Sequence, residues 1–214
     1  EPLLIARATH APVWVDANRA RGAQSLLRSH PDCNVLISDD GLQHYALARD
    51  LEIAVEDERG LGNGLMLPAG PLREPASRRV DVRVYNTMGQ VPVGAVHMRL
   101  AVSAIYSLKH PDIAVAPAEF SGKRVHAVAG IGNPARFFAT LADLGIPCEH
   151  HAFADHYPFS PQDFAFVKND VVVMTEKDAI KCQHFARDNW FVLRVEARCS
   201  PELADVVEKC LKDR

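Results

Sequence analysis

Several features are scarce in this sequence, and each absence narrows the class of protein. No apolar run approaches the length of about 18 residues that a transmembrane helix needs. The five cysteines are scattered, odd in number and without a Cys-x-x-Cys pair, which indicates reduced thiols rather than a disulfide framework. A net charge of −3 gives no support for nucleic-acid binding. The length and composition are ordinary for one large or two small globular domains: the chain has 214 residues, of which 48% are hydrophobic and 24% are charged.

The most informative stretch is Asn34-Val-Leu-Ile-Ser-Asp-Asp-Gly-Leu-Gln-His-Tyr45. Its apolar run predicts a buried strand over 35–38, which would deliver two adjacent carboxylates, Asp39 and Asp40, at its carboxyl end. Ligands of open α/β sheets bind outside the carboxyl ends of the strands, so this pair is a candidate metal or phosphate site. The other interpretation is an Asp-Gly turn in which Asp is favoured only by turn chemistry.

Strand-like and helix-like segments alternate along the chain, which predicts an α/β fold with a mostly parallel sheet. An amphipathic helix is expected over 16–30, capped by Asp16 or Asn18. The segment 94–108 alternates apolar and polar residues between flanking prolines, so we expect a long connecting strand. Further strands are expected at 11–15, 50–56, 82–86, 124–130, 148–153, 170–174 and 190–197, and the last of these is expected to pair with 94–108.

Three more clusters follow predicted strands or connect them. Arg59–Pro75 is rich in Gly and Pro and about 17 residues long, a length typical of functional loops, although a rigid surface loop is the alternative. Asp155-His156 has the residue types of an oriented general base, or of a structural pair. Glu176-Lys177-Asp178 offers a cation that could reach a phosphate or could simply be solvated.

The sequence contains no Gly-x-x-x-x-Gly-Lys-Ser/Thr phosphate-binding loop. Gly130-Ile-Gly-Asn-Pro134 is not a substitute, because it lacks the following Gly-Lys and Pro134 has no N–H to donate. Residue chemistry alone therefore supports a metal-assisted α/β enzyme. A metal-dependent phosphohydrolase built on Asp39 and Asp40, and a non-catalytic remnant binding domain, both stay open as alternatives.

Six ordered motifs resemble the tetraacyldisaccharide 4′-kinase family, the lipid A kinases of Gram-negative bacteria. The resemblance covers essentially the whole chain, and two of the motifs are long and unusual. The six are Asp39-Asp-Gly-Leu-Gln-His44, Arg59-Gly-Leu-Gly-Asn-Gly64, Leu67-Pro-Ala-Gly-Pro-Leu-Arg-Glu-Pro75, Ala129-Gly-Ile-Gly-Asn-Pro134, Asp155-His156 and Thr175-Glu-Lys-Asp-Ala179.

The resemblance implies a truncated P-loop-type core with a mostly parallel sheet, plus a smaller C-terminal α/β domain joined by a two-stranded linker. The domains expected on this basis are the C-terminal part of the core at 1–93, the linker strand at 94–118, the small α/β domain at 119–188, and the return strand with the terminal helix at 189–214.

The activity implied by the resemblance is ATP- and Mg²⁺-dependent phosphorylation of the 4′-hydroxyl of a tetraacylated glucosamine disaccharide 1-phosphate, in lipopolysaccharide biosynthesis. Asp39 and Asp40 would be catalytic and would organise Mg²⁺ and the phosphates, with Glu74 as a further metal partner. His156 would assist the catalytic base. The substrate-binding residues would be Gln43, His44, Arg73 and Asn63.

In the family, the P-loop, a catalytic Asp and an apolar N-terminal helix lie upstream of the segment that Glu1-Pro2 matches. We therefore expect that these 214 residues alone do not turn over ATP, whereas the full-length protein is active. The partners implied are the acylated disaccharide lipid and, peripherally, the cytoplasmic face of the bacterial inner membrane. Neither nucleic acid nor an obligate protein partner is expected.

Overall fold

The computed structural model describes residues 2–87 and 89–212, and these residues form an α/β fold. The helices are α1 Pro2–Thr9, α2 Arg19–Ser29, α3 Pro134–Asp143, α4 Glu176–Cys182 and α5 Glu202–Lys212. The strands are β1 Ile53–Asp57, β2 Val82–Asn86, β3 Val96–Ser107, β4 Ala114–Val115, β5 Val125–Ala129, β6 Glu149–Ala152, β7 Val171–Thr175 and β8 Trp190–Cys199.

The chain divides into two compact units. Val102–Glu196 forms one of them, which we call the inserted unit. Pro2–Ala101 together with 197–212 forms the other, which we call the flanking unit. The boundary between the units falls within β3 and again within β8.

The inserted unit is built on parallel strands in the order β8-β7-β5-β6, with β6 at the edge. Successive residues of a strand point to opposite faces, and strands covered on both faces are apolar almost throughout. This explains the continuous apolar runs of β5 and β7. One face packs against Phe137, Phe138 and Leu141 of α3, and the other, which carries Trp190 of β8, packs against Phe164.

The start of α3 shows why this local sequence folds as predicted. Asn133 caps the helix by accepting a hydrogen bond from the Arg136 N–H, and Pro134 occupies the first turn, where its missing N–H costs nothing. Gly145 follows the helix with a φ of +72°, a conformation that glycine adopts without steric cost.

The flanking unit has a smaller core. β1 pairs with β2 and β2 with the first residues of β3, all in parallel. Val82, Val84 and Val96 are buried, and Leu51 and Leu203 pack against them. Because Leu203 belongs to α5, this core joins the C-terminal helix to the first strands of the unit.

The long strands β3 and β8 are neighbours in the sheet. The Leu108 N–H donates to the Trp190 carbonyl, and the Ser200 N–H donates to the His97 carbonyl. The end of one strand therefore lies beside the start of the other, so the pair is antiparallel. The predicted two-stranded linker is confirmed, as is the predicted fold class of a mostly parallel α/β sheet.

Two predicted strands are wrong. Residues 11–15 and 35–38 have no regular secondary structure, and Ile37 is 94% exposed rather than buried. A strand requires a neighbour that accepts and donates its backbone hydrogen bonds. In the described part of the chain neither segment pairs with another strand, so its apolar residues lie in extended, irregular backbone.

All five cysteines are free thiols. Burial raises the pKa of the Cys182 thiol to about 12, which makes this side chain inert as a nucleophile. Among residues 2–87 and 89–212, no helix is both long and apolar enough to cross a bilayer.

The unequal cores predict unequal resistance to local opening. Amides of β5 and β7 in the inserted unit should exchange with solvent far more slowly than those of β1 and β2 in the flanking unit, because local stability follows buried apolar packing. Hydrogen exchange followed by mass spectrometry measures this difference. Uniform protection across β1, β2, β5 and β7 would contradict it.

Candidate active site

The Asp39-Asp40 pair lies in a tight turn rather than at a strand end. Asp40 has a φ of +49°, a left-handed conformation that is sparsely populated outside glycine. A Cβ on Gly41 would lie 2.7 Å from Ser38 Oγ, so the turn admits only glycine there. Arg49 holds the turn by donating to the carbonyl oxygens of Gly41 and Leu42, both at 3.0 Å.

Both aspartate side chains point into solvent. Asp39 and Asp40 are exposed, and no hydrogen bond or ion pair of their carboxylates occurs among the residues that the structure describes. Carboxylates without protein partners keep their oxygen atoms available to an external donor or cation.

A hydrogen bond joins two of the sequence motifs. Gln43 Nε2 donates to Glu74 Oε1 at 2.7 Å, although the two residues are 31 positions apart. The other carboxylate oxygen of Glu74 forms an ion pair with Arg78. The structure therefore brings the Asp-Asp-Gly-Leu-Gln-His motif and the Leu-Pro-Ala-Gly-Pro-Leu-Arg-Glu-Pro motif together.

Arg78 is the centre of a charged network that sequence reasoning missed. Its Nη2 donates to Glu52 Oε1 at 2.8 Å, its Nη1 also contacts the Tyr45 hydroxyl at 3.3 Å, and its guanidinium lies 5.7 Å from the Tyr45 ring centroid. The hydrogen bond from Arg78, helped by that from Gln43, lowers the pKa of Glu74 below its ordinary value. The two carboxylate partners raise the pKa of Arg78. Glu74 is only four residues from Arg78, but the other two partners, Tyr45 and Glu52, are distant in sequence, so no local pattern indicates the whole network.

Gln43 and His44 line an open groove of about 450 Å³ beside the first turn of α2. Asn18 caps this helix by accepting a hydrogen bond from the Arg21 N–H. The unpaired N–H groups and the dipole of a helix N-terminus favour negative charge. The groove lies entirely within the flanking unit and is lined by Ala17, Asn18, Arg19, Ala20, Gln43, His44, Tyr45, Ala46 and Leu47.

Asn63 and Arg73 lie in the glycine- and proline-rich loop. The Asn63 side chain donates to the Ala69 carbonyl and accepts from the Leu65 N–H, so both ends of its amide hold the loop itself. Gly70 packs so closely on Asn63 and Leu65 that a Cβ would overlap them. Arg73 is exposed on the same loop.

His156 lies in the inserted unit, whereas the other predicted site residues lie in the flanking unit. Its side chain is 80% exposed, and its φ of +60° is left-handed. Its N–H donates to the Gly130 carbonyl at 3.2 Å and to Asp155 Oδ1 at 3.0 Å. Its Nε2 lies 3.8 Å from Asp155 Oδ2. Asp155 therefore holds the backbone of His156 and lies near its ring without a hydrogen bond to it.

Asp178 supports this turn from within the protein, a role that sequence reasoning missed. It is completely buried, and its Oδ2 accepts from the Gly130 N–H at 2.9 Å and from the Thr175 hydroxyl at 2.8 Å. Its Oδ1 forms a 3.0 Å ion pair with Lys181. Gly130 thus links the two residues: its N–H donates to Asp178, and its carbonyl accepts from the His156 N–H.

The predicted metal partners are not gathered into one cluster. Glu74 is engaged by Gln43 and Arg78, and in the described part of the chain Asp39, Asp40 and Glu74 do not form a three-ligand group. A Mg²⁺ ion bound with phosphates needs only one or two protein carboxylates, so Asp39 and Asp40 suffice chemically.

Comparison with known proteins finds one family over almost the whole chain. The profile of the family described as Tetraacyldisaccharide-1-P 4′-kinase matches residues 1–212. A Tetraacyldisaccharide 4′-kinase of Methylobacillus flagellatus is 48% identical over 97% of this chain and 62% of its own length. The enzyme of the same name from Dechloromonas aromatica is 45% identical over 100% of this chain and 66% of its own.

A solved structure is also similar. The crystal structure of the "apo" form of LpxK from Aquifex aeolicus, in complex with ATP, superposes with a TM-score of 0.70 at 28% identity. The match covers 93% of this chain and 63% of that one. The chain thus spans a little over six-tenths of the length of the relatives that it matches.

The buried position of Asp178 predicts a large loss of stability on truncation. Asp178→Ala should lower the free energy of unfolding by about 3–5 kcal/mol, because it leaves Lys181 and the Gly130 N–H without their partner. Asp178→Asn keeps an acceptor oxygen and should lower the free energy of unfolding by less. Substitution of an exposed residue, Asp143→Ala, is the control. Urea denaturation measures all three. An Asp178→Ala loss no larger than the control's would show that the carboxylate is dispensable.

Proposed function

The chain belongs to the tetraacyldisaccharide-1-phosphate 4′-kinase family, and from this premise we propose that the natural full-length protein is a lipid kinase. It transfers the γ-phosphoryl group of ATP to the 4′-hydroxyl of a tetraacylated glucosamine disaccharide 1-phosphate, a step of lipid A biosynthesis. The hydrogen bond between Gln43 and Glu74 carries the proposal, because it unites two of the family motifs in one site.

We assign the phosphate end of the site to Asp39 and Asp40. Their exposed carboxylates, free of protein partners among the described residues, are the hard oxygen donors that Mg²⁺ prefers. When bound, Mg²⁺ would neutralise negative charge on the phosphate groups. Arg49 fixes the turn by donating to the backbone carbonyl groups of Gly41 and Leu42. It does not pair with the Asp39 and Asp40 carboxylates, so it does not neutralise their charge. The main role of Glu74 in this proposal is to position Gln43 through their hydrogen bond. Direct contact between Glu74 and the metal is a secondary proposal.

The acceptor end of the site is assigned to the groove of the flanking unit. Gln43 and His44 line it, and amide and imidazole groups suit the hydrogen bonding of sugar hydroxyls. Arg73 is exposed and offers a cation for a phosphate of either substrate. Asn63 contributes by shaping the loop that carries Arg73.

His156 is proposed to assist the catalytic base. The Asp155 carboxylate lies 3.8 Å from the imidazole, and the left-handed backbone of His156 presents the side chain to solvent. An exposed imidazole is a group that can accept the proton of an attacking hydroxyl. The acyl chains of the substrate place the reaction at a membrane surface, and we propose the cytoplasmic face of the bacterial inner membrane, without an obligate protein partner or nucleic acid.

The kinase proposal predicts an ATP-dependent product phosphorylated at the 4′ position. Asp39→Asn and Asp40→Asn in the full-length protein should each lower kcat by about 100-fold or more, because charge organisation at the phosphates is lost. Exposed Asp32→Asn is the matched control and should leave kcat unchanged. The 214-residue chain alone should not turn over ATP. Phosphate release from simple phosphoesters without ATP would instead favour a metal-dependent phosphohydrolase.

The role of His156 predicts an effect on chemistry rather than on lipid binding. His156→Ala should lower kcat by about 100-fold while the KM for the lipid changes little. His110→Ala, an exposed histidine of the same unit, is the control. Steady-state kinetics with varied lipid concentration separate the two parameters, and a change confined to KM would refute the assignment.

A further inference from the structure

A second cluster of ligand side chains lies at the edge of the sheet in the inserted unit. The parallel ladder pairs His126 of β5 with Glu149 of β6, and Val128 with His151. Because residues two apart share a face, His126, Glu149 and His151 point to the same side. Their ligand atoms all lie within 4.8 Å of one another, and no other such group of three occurs in the part of the chain that the structure describes.

Asp170 sets the protonation pattern of His126. The ring of His126 is almost completely buried, and its Nε2 lies 3.2 Å from Asp170 Oδ2. A carboxylate only accepts hydrogen bonds, so Nε2 carries the proton and Nδ1 of the neutral ring presents a lone pair. Carboxylate–histidine pairs of this kind orient metal-binding imidazoles and raise their basicity.

The lone pair of His126 Nδ1 faces two groups. His151 Nε2 lies 3.0 Å away and Glu149 Oε2 lies 3.5 Å away. Glu149 uses its other oxygen to accept from Arg124, which leaves Oε2 for a different partner. An imidazole lone pair and a carboxylate oxygen are both acceptors, so a cation between them would satisfy both.

The two separations from His126 Nδ1 are close to those of a metal site, and the third pair of ligand atoms lies within 4.8 Å. Tetrahedral Zn²⁺, with bonds of about 2.0–2.2 Å, holds its ligands roughly 3.3–3.5 Å apart. The distances of 3.0 Å and 3.5 Å from His126 Nδ1 bracket that range. The rings are also held in place: Phe166 stacks on His151 at 4.0 Å and meets His126 edge-on at 5.2 Å.

The local charge favours a cation as well. Glu149 and Asp170 are two carboxylates, and Arg124 is the cation that pairs with them, at 2.7 Å and 3.8 Å. Neutral imidazoles leave the group with one net negative charge. The Glu149 side chain is 49% exposed, so an ion can enter and keep water as its fourth ligand.

We propose that His126 Nδ1, His151 Nε2 and Glu149 Oε2 bind one divalent transition-metal cation, for which Zn²⁺ is the best match to two imidazoles and a carboxylate. Binding replaces the hydrogen bond between the two histidines: His151 stays neutral and carries its proton on Nδ1 instead of Nε2. None of these residues is assigned to the kinase reaction, so the site stands independently of the proposed function.

The test is Zn²⁺ titration of the metal-free chain by calorimetry, with Co²⁺ absorption reporting the coordination geometry. His151→Gln and Glu149→Gln should each weaken Zn²⁺ binding by about 100-fold or more, and Asp170→Asn by about 10- to 100-fold. His150→Gln is the matched control, because His150 lies on the same strand but stacks on Phe138 at the opposite face. The affinity of the His150→Gln variant for Zn²⁺ should equal that of the wild type.

A second readout separates ligation from folding. Zn²⁺ should raise the melting temperature of the wild type and of His150→Gln, but not that of His151→Gln, since a ligand that binds only the folded state stabilises it. Exposed Glu149 and half-buried His151 are varied because substitution of buried His126 would disturb the core. Equal Zn²⁺ affinity in the wild type and both ligand variants, or an equal loss in His150→Gln, would overturn the proposal.

Discussion

The ion pair between Arg78 and Glu74 is the contact on which the candidate active site depends. Glu74 lies in a loop rich in glycine and proline, and Gln43 lies in the turn after Asp40, so neither residue is fixed by a helix or strand. Arg78 also binds Glu52, just before β1, and thus ties both irregular segments to the sheet. The planar guanidinium suits this position because it donates to several acceptors in a fixed geometry, which a lysine ammonium does not reproduce.

The inserted unit was predictable because its signals are local. Asn133 and Pro134 mark the start of α3, and the continuous apolar runs of β5 and β7 are typical of strands buried on both faces. The same reasoning failed at 35–38, where an apolar run also stands before a turn. Apolar character indicates that a segment prefers burial, but a strand is defined by its neighbour, and no neighbour can be recognised from the segment alone.

The residues of the candidate site also fall into two groups, those that the sequence predicted and those that it did not. Asp39, Asp40, Gln43 and Glu74 were predicted as site residues from ordered motifs, and the structure adds that Gln43 reaches Glu74. The supporting residues were not predicted, because most of their contacts join residues far apart in sequence and leave no spacing to detect. Buried Asp178 is the clearest case: in its motif only Lys177 was considered for a ligand contact, whereas the Asp178 carboxylate accepts a hydrogen bond from the Gly130 N–H.

The antiparallel pairing of β3 and β8 also bears on how the chain reaches its native state. His97 and Ser200 are 103 positions apart, and closing a loop of that length costs on the order of 4 kcal/mol in chain entropy. Residues 102–196 have their own core, and their first and last strands are neighbours. Once that segment has folded, its ends are already adjacent, and α5 can dock beside Val82 and Val84 as though it followed a short turn. Prior folding of residues 102–196 therefore lowers the chain entropy that must be lost to bring α5 to Val82 and Val84.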